Sequence, residues 1–192
     1  MAQAKQQVQI SVDEYLDFEN KSDVKHEFDN GYIVAMVGAS RPHNLITGGL
    51  FAAIKTKLKG SDCRVYMSDM KLHIQTPEYD RFYYPDIMVA CDPNPVSEFY
   101  EDKPILVVEV LSPSTETRDK LEKLAAYGAI VPLKEYIIIA QDRVEVNRYS
   151  MENRKALLTQ YGDGDTLEME SINMSIPVKD LYAEVAGRLF RE

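Results

Sequence analysis

The stretch ILVVEVLSPST, residues 105–115, decides how this chain is read. Ile105 to Leu111 has the apolar, β-branched character of a buried strand, and a run of Ser and Pro stops it. Glu109 nevertheless stands inside it. Alternation along a strand puts Ile105, Val107, Glu109 and Leu111 on one face and Leu106, Val108 and Val110 on the other. A carboxylate thus interrupts an apolar column near the strand's C-terminal end. An unpaired buried carboxylate costs several kcal/mol, so Glu109 requires a partner, either a buried Lys or Arg or a bound cation.

The run DIMVA, residues 86–90, repeats the theme. Asp86, Met88 and Ala90 share one side, and Pro85 restricts the start of the strand or marks an edge. The alternative for Asp86 is an Asx turn after the proline. If the two strands are neighbours, their backbones lie about 4.8 Å apart and both acids can serve one cation. Magnesium is commonly held by one or two carboxylates, with water and phosphate oxygens in its other positions. The helix expected over TETRDKLEKLAAYGA adds a cation, because Lys120, Lys123, Leu124 and Tyr127 recur at helical spacing on one face. Either lysine could orient a water or neutralise a phosphate, and either could be solvated helix surface; periodicity does not choose between them.

Outward from this centre, SVDEYLDFE begins with a capping-box spacing, Ser11 to Glu14, and predicts a short helix. KHEFDNGYIVAMVG predicts a hairpin turning at Asn30-Gly31. Pro42 to Leu58 predicts a helix striped by Leu45, Ile46, Leu50, Ala53 and Ile54, with Gly48 and Gly49 suggesting close backbone approach. CRVYMSDMKLHI reads as one strand and RFYYPDIMVACD as another. KEYIIIA and RVEVNRYS read as a strand pair, YGDGDTLE as a turn, and IPVKDLYAEVAGRLF as a closing helix. The order of elements predicts an α/β fold, a central mixed β-sheet flanked by helices on both faces.

At 192 residues, with 45% hydrophobic and 28% charged residues, one soluble domain spanning 1–192 is expected. No apolar run is long enough for a membrane span, and the N-terminus lacks a signal-peptide core. Cys63 and Cys91 look too few and too isolated for a disulfide framework or a zinc knuckle, so a reducing cytoplasm is the expected setting. Net charge is −9, from 22 basic and 31 acidic side chains, the wrong sign for holding nucleic acid by bulk electrostatics. Any such role needs a local site. His26, His43 and His73 show no metal-ligand spacing, although His43 begins the long helix. Lys55, Lys57, Lys59 and Arg64 read as a solvated helix end.

Taken in order, KHEFDNGYIVAM, HNLITGGL, YPDIMV, VVEVLSPST, DKLEKLAAY and KEYIII resemble the Uma-two family of restriction-endonuclease-like proteins, within the PD-(D/E)XK nuclease superfamily. The resemblance covers most of the chain. It implies a restriction-endonuclease-like fold and a metal-dependent nuclease, with DNA as the expected nucleic-acid partner and Mg2+ (or Mn2+) as cofactor. It implies Asp86 and Glu109 as metal ligands, the carbonyl of Val110 as a further one, and Glu27 of KHEFDNG as an auxiliary acid; an exposed strand glutamate would explain Glu27 equally well. The superfamily lysine should stand two residues after Glu109, where Leu111 is found. The match of KLAAY places it at Lys123 instead. A homodimer is expected, since cutting both strands of a duplex needs two sites. The rival expectation is a non-catalytic scaffold or partner-binding protein on a decayed nuclease fold; a third is a hydrolase of some other phosphoester.

Overall fold

The structure, a computed structural model, describes residues 9–36, 38–111, 116–152, 155–185 and 187, with 116–121 as backbone alone. The chain opens with α1 (Val12–Glu19), started by the predicted capping box: Ser11 Oγ accepts from the Glu14 N–H, and the Glu14 carboxylate accepts from the Ser11 N–H. The hairpin of β1 (His26–Asp29) and β2 (Tyr32–Ala35) turns at Asn30, φ 47°, and Gly31, φ 99°, the two left-handed residues that a type I′ turn requires. Next, α2 (Arg41–Lys57) is capped by Ser40 and buries Ile46, Leu50 and Ile54 of the predicted stripe. Gly48 and Gly49 do not mark close packing as expected, since a Cβ on either would meet nothing within 4 Å.

β3 (Arg64–Met67), β4 (Lys71–Gln75), β5 (Asp80–Tyr83) and β6 (Ile87–Ala90) replace the two unbroken strands expected from CRVYMSDMKLHI and RFYYPDIMVACD. The first run breaks at Ser68, whose φ of 53° turns the backbone; the second breaks at Pro85, which has no N–H for a ladder. β3 pairs with β6 in one sheet and β4 with β5 in another, so one antiparallel ribbon folds across both. The Ser68 N–H donates to the Asp86 carbonyl at 3.2 Å and holds the two breaks side by side.

After β7 (Tyr100–Glu101) come β8 (Pro104–Leu111), α3 (Glu116–Tyr127) and β9 (Glu135–Ala140). β8 and β9 run parallel, with α3 as the crossover. The chain ends in β10 (Val146–Glu152), β11 (Lys155–Tyr161), β12 (Thr166–Met169), a 3-10 turn at Glu170–Ile172, β13 (Met174–Pro177) and α4 (Val178–Leu181). Of the expected closing helix, α4 forms a single turn, 182–185 are turns, Gly187 is again helical, and residues 186 and 188–190 lie outside the described residues. Ser114 and Thr115, the candidate caps of α3, lie outside them too.

The predicted central mixed sheet is six-stranded, in the order β11-β10-β9-β8-β6-β3. On one face Leu106, Val108 and Val110 of β8 pack with Ile46, Leu50 and Ile54 of α2 and with Val178 and Leu181 of α4. On the other, Val107 and Leu111 pack with Ala126 and Tyr127 of α3, joined by Leu72, Ile74 and Tyr83 of the second sheet, β2-β1-β5-β4-β7. Both faces of the parallel pair are covered, which explains its near-continuous apolar text.

One expectation about the cysteines is corrected. β3 and β6 pair Arg64 with Ala90, and just beyond that pair Cys63 and Cys91 meet in a disulfide. The argument for a reducing compartment that rested on two separate thiols therefore lapses. No helix of the described residues is long and apolar enough to cross a membrane. The bridge closes a sequence separation of 28 residues. Its reduction is expected to lower stability by about 3 kcal/mol through loop-closure entropy, read as a drop in urea midpoint that Cys63→Ala/Cys91→Ala reproduces and reductant does not deepen.

Candidate functional site

The site lies where the ribbon crosses between sheets, at the C-terminal end of β8. β6 and β8 are antiparallel with Ile87 beside Val108, so one step further along that register Asp86 stands beside Glu109. The expected neighbourhood of the two acidic positions is therefore real. Asp86 Oδ2 accepts from the Val110 N–H at 2.7 Å and contacts His43 Nε2 at 3.0 Å. Val110 thus enters through its N–H. Its carbonyl, the atom the resemblance implied, makes no part of this contact.

Glu109 is buried on the α3 face. Its Oε1 accepts from the Tyr127 hydroxyl at 2.7 Å and from Lys123 Nζ at 3.0 Å. The same ammonium lies 3.1 Å from Glu27 Oε1 on β1 and over the Tyr83 ring, 5.2 Å from its centroid. Lys123 and Tyr127 reach one acid together because they are four residues apart on α3. The structure therefore brings Glu109, Lys123 and Glu27 into one cluster with Asp86 beside it; the Lys120 side chain lies outside the described residues. The buried ion pair weighed as the alternative for Glu109 is also present.

Burial pushes the Glu109 carboxyl up to about 7; Lys123 opposes that rise, and the neighbouring Asp86 charge adds to it. Burial works against the Lys123 charge as well, yet Glu109 and Glu27 hold it well above the ordinary lysine range. For His43, burial disfavours the charged ring, but the bond to Asp86 outweighs this and the pKa is raised.

A cleft of about 420 Å³ opens at this end of the sheet, lined in part by Lys25, Ser40, His43, Tyr84, Asp86 and Gln141, with Val110 at its floor. Asp86 lines it, while Glu109 does not and is only 4% exposed. Among the described residues no three His, Cys, Asp or Glu side chains form a ready-made cation cage. Asp86 Oδ1 and Glu109 Oε2, however, take no hydrogen bond from the described residues. Carboxylates at adjacent strand positions with one oxygen each uncommitted, Asp86 on the cleft and Glu109 buried next to it, are of the donor type that a magnesium ion takes alongside water and substrate oxygens.

Sequence reasoning passed over the full role of His43. The ring holds Asp86 Oδ2, and with the Val110 N–H it fixes which oxygen is left uncommitted. The signal available was position: Ser40 caps α2, so His43 sits on its first turn. His43→Ala is expected to lower any activity that depends on Asp86 by about 10- to 100-fold. His43→Gln, which keeps a donor, should recover part of that loss in initial-rate measurements.

A helix-flanked mixed sheet with neighbouring acids at its strand ends fits the restriction-endonuclease-like class of α/β folds; the lysine on the following helix, in place of one two residues after Glu109, is this chain's departure from the pattern. The chain belongs to the Uma2 family, described as "putative restriction endonuclease", whose model matches residues 12–179. It is 35% identical over 179 residues to the uncharacterized protein slr1290 of Synechocystis sp. (strain ATCC 27184 / PCC 6803 / Kazusa), covering 92% of this chain and 93% of that one. It is 33% identical over 171 residues to sll1609 of the same organism, covering 87% and 95%. The crystal structure of a "putative nuclease belonging to DUF820" from Anabaena variabilis ATCC 29413 superposes with a TM-score of 0.70 over 91% of this chain and 98% of that one; at 20% identity the likeness concerns the fold.

Proposed function

We propose that this protein is a metal-dependent nuclease that hydrolyses phosphodiester bonds, with DNA as substrate. The observation that carries the reading is the pairing of Asp86, fixed by His43 and Val110, with Glu109, fixed by Tyr127 and Lys123, at adjacent strand ends. Asp86 and Glu109 would hold Mg2+ or Mn2+, and Val110 would contribute its carbonyl. A metal so held would supply acidification of a bound water and stabilisation of charge on the phosphoryl oxygens. Lys123, with three donors and a charge fixed by two carboxylates, orients the attacking water and offsets negative charge at phosphorus. Glu27 keeps that ammonium in place. Family membership supports the same reading.

The test is calorimetric titration of Mn2+ into the wild type and Asp86→Ala, followed by cleavage of single- and double-stranded DNA. Heat of binding that Asp86→Ala abolishes, with cleavage that Glu109→Gln abolishes, is the expected result. Equal metal binding by both proteins, or cleavage untouched by Glu109→Gln, removes the proposal. Action on both strands would place two copies on one duplex, and light scattering of the free protein reads whether they pre-assemble. A scaffold on a decayed nuclease fold has one observation in its favour: Glu109 is buried and does not line the cleft. Absence of metal binding and cleavage in a folded wild type would select it.

A further inference from the structure

The outermost strand of the six-stranded sheet, β11, has no neighbour on its outer side. It has seven residues, paired one to one with β10 and without a bulge, whereas β3 at the opposite edge has four. Exposed edges are ordinarily blunted by proline, charge, a bulge or shortness. The β11 sequence, KALLTQY, has no proline and a single charge, at Lys155. Its leucines are open to solvent on both faces: Leu157 is 68% exposed and Leu158 45%. Leu158 lies opposite Tyr149 on the α3 side of the sheet, and Leu157 opposite Ser150 on the other.

The ladder fixes which backbone groups of β11 are free. The Met151 N–H donates to the Lys134 carbonyl at 2.8 Å, so in β10 Asn147, Tyr149 and Met151 bond toward β9. Their cross-strand neighbours Gln160, Leu158 and Ala156 therefore point N–H and C=O away from β10, out of the sheet edge. Nothing among the described residues takes those bonds.

We propose that β11 pairs antiparallel with β11 of a second copy of this chain, about a twofold axis through Leu158, and joins two six-stranded sheets into one. With the axis perpendicular to the sheet, Leu158 faces Leu158 of the second copy and Ala156 faces Gln160 of the second copy. All of these bond outward, so donors meet acceptors without any slip of register. An axis through Leu157 would instead oppose residues whose groups are already committed to β10. The perpendicular axis also keeps each face on its own side, so leucine packs on leucine across it and Leu157 packs beside Thr159 of the second copy. Charge fits as well. Lys155 falls opposite Tyr161 of the second copy, two residues before the exposed Asp163, so the single positive charge of each strand ends beside an acid of the other. In the sheet order β10 and β9 separate β11 from β8, and no β11 residue lines the cleft, so both clefts stay open. The interface stands independently of the nuclease reading.

Sedimentation velocity on the full chain over a concentration series tests the association, and thermal melts establish that each variant is folded. The wild type is expected to be dimeric. Leu158→Lys sets two ammonium groups against each other across the axis and should raise the dimer dissociation constant at least a hundredfold. Leu158→Pro removes an N–H that bonds only to the second copy, and should weaken the dimer while the β10 ladder survives. Phe99→Lys, at an apolar side chain 59% exposed and outside the seam, is the control and should leave the dimer intact. Cysteine crosslinking tests the register, because Cys63 and Cys91 are bonded to each other and an added thiol is alone. Leu158→Cys should crosslink to itself under mild oxidation. Gln160→Cys should not, but should crosslink when mixed with Ala156→Cys. A wild type that stays monomeric throughout the series, or a dimer untouched by folded Leu158→Lys, overturns the proposal. Self-crosslinking of Gln160→Cys as readily as Leu158→Cys overturns the axis and with it the paired edge.

Discussion

Lys123→Met is expected to lower stability by about 3–5 kcal/mol and to reduce cleavage by at least a hundredfold. The stability loss follows from what the ammonium holds. Glu109 is 4% exposed, and after the substitution its only remaining donor among the described residues is the Tyr127 hydroxyl. Glu27 loses its partner too, but it is the more exposed of the two and water can solvate it in part. A buried carboxylate deprived of its counter-charge lowers its cost by taking up a proton. The gap between variant and wild type should therefore narrow as pH falls, because protonation removes the charge that the ammonium compensated. Lys123→Met/Glu109→Gln separates structure from chemistry. It removes both charges, so most of the stability should return in urea melts while cleavage stays absent. Recovery of cleavage in that double variant would deny both residues a part in the reaction.

Glu135→Ala should produce a loss of similar size, about 3–5 kcal/mol, without any role for the residue in the candidate site. Glu135 begins β9 and is 2% exposed. It accepts from the backbone N–H groups of Glu170 at 3.1 Å and Ser171 at 2.8 Å, accepts from the Ser171 hydroxyl, and lies 3.5 Å from Arg148 Nε. This carboxylate fastens the 3-10 turn between β12 and β13 to the central sheet. Alanine leaves two N–H groups unsatisfied and Arg148 without one of its two acidic partners; the other, Glu170, is exposed. The expected readout is a lower urea midpoint with unaltered specific cleavage per folded molecule. A variant as stable as the wild type would show that water replaces the carboxylate and that this latch contributes little. Comparing Glu135 with Glu109 shows why burial alone identifies no active site. Both are strand glutamates sunk in the sheet, but Glu135 is satisfied by backbone donors, whereas Glu109 shares its counter-ion with a second acid and stands beside a third.

Much of this was legible in the text of the chain. Glu109 in an apolar run, Asp86 after Pro85, and Lys123 four residues before Tyr127 are one-dimensional facts whose periodicities carry them onto faces. The capping box at Ser11 and the turn at Asn30-Gly31 were equally plain, because each is a local bonding pattern closed within a few residues. The misreadings share a cause. Two long β-rich runs looked unbroken because both halves of each carry aromatic or β-branched residues of high strand propensity; only the crossing between sheets explains Ser68 and Pro85. Gly48 and Gly49 suggested a close neighbour that the fold does not supply. Cys63 and Cys91 appeared unrelated because 28 residues separate them, while the β3–β6 register sets them face to face.

By itself the sequence determined the type of most strands, helices and turns, though not where the long β-rich runs break, and that an acid had to be buried near the end of β8, since side-chain periodicity and backbone chemistry are properties of neighbours along the chain. Only the tertiary structure decided what that acid meets: that Lys123 rather than another cation answers Glu109, and that His43 orients Asp86. Those outcomes depend on strand order and on the crossing of one ribbon between two sheets, which bring together groups tens of residues apart whose spacing in the chain encodes nothing about their distance.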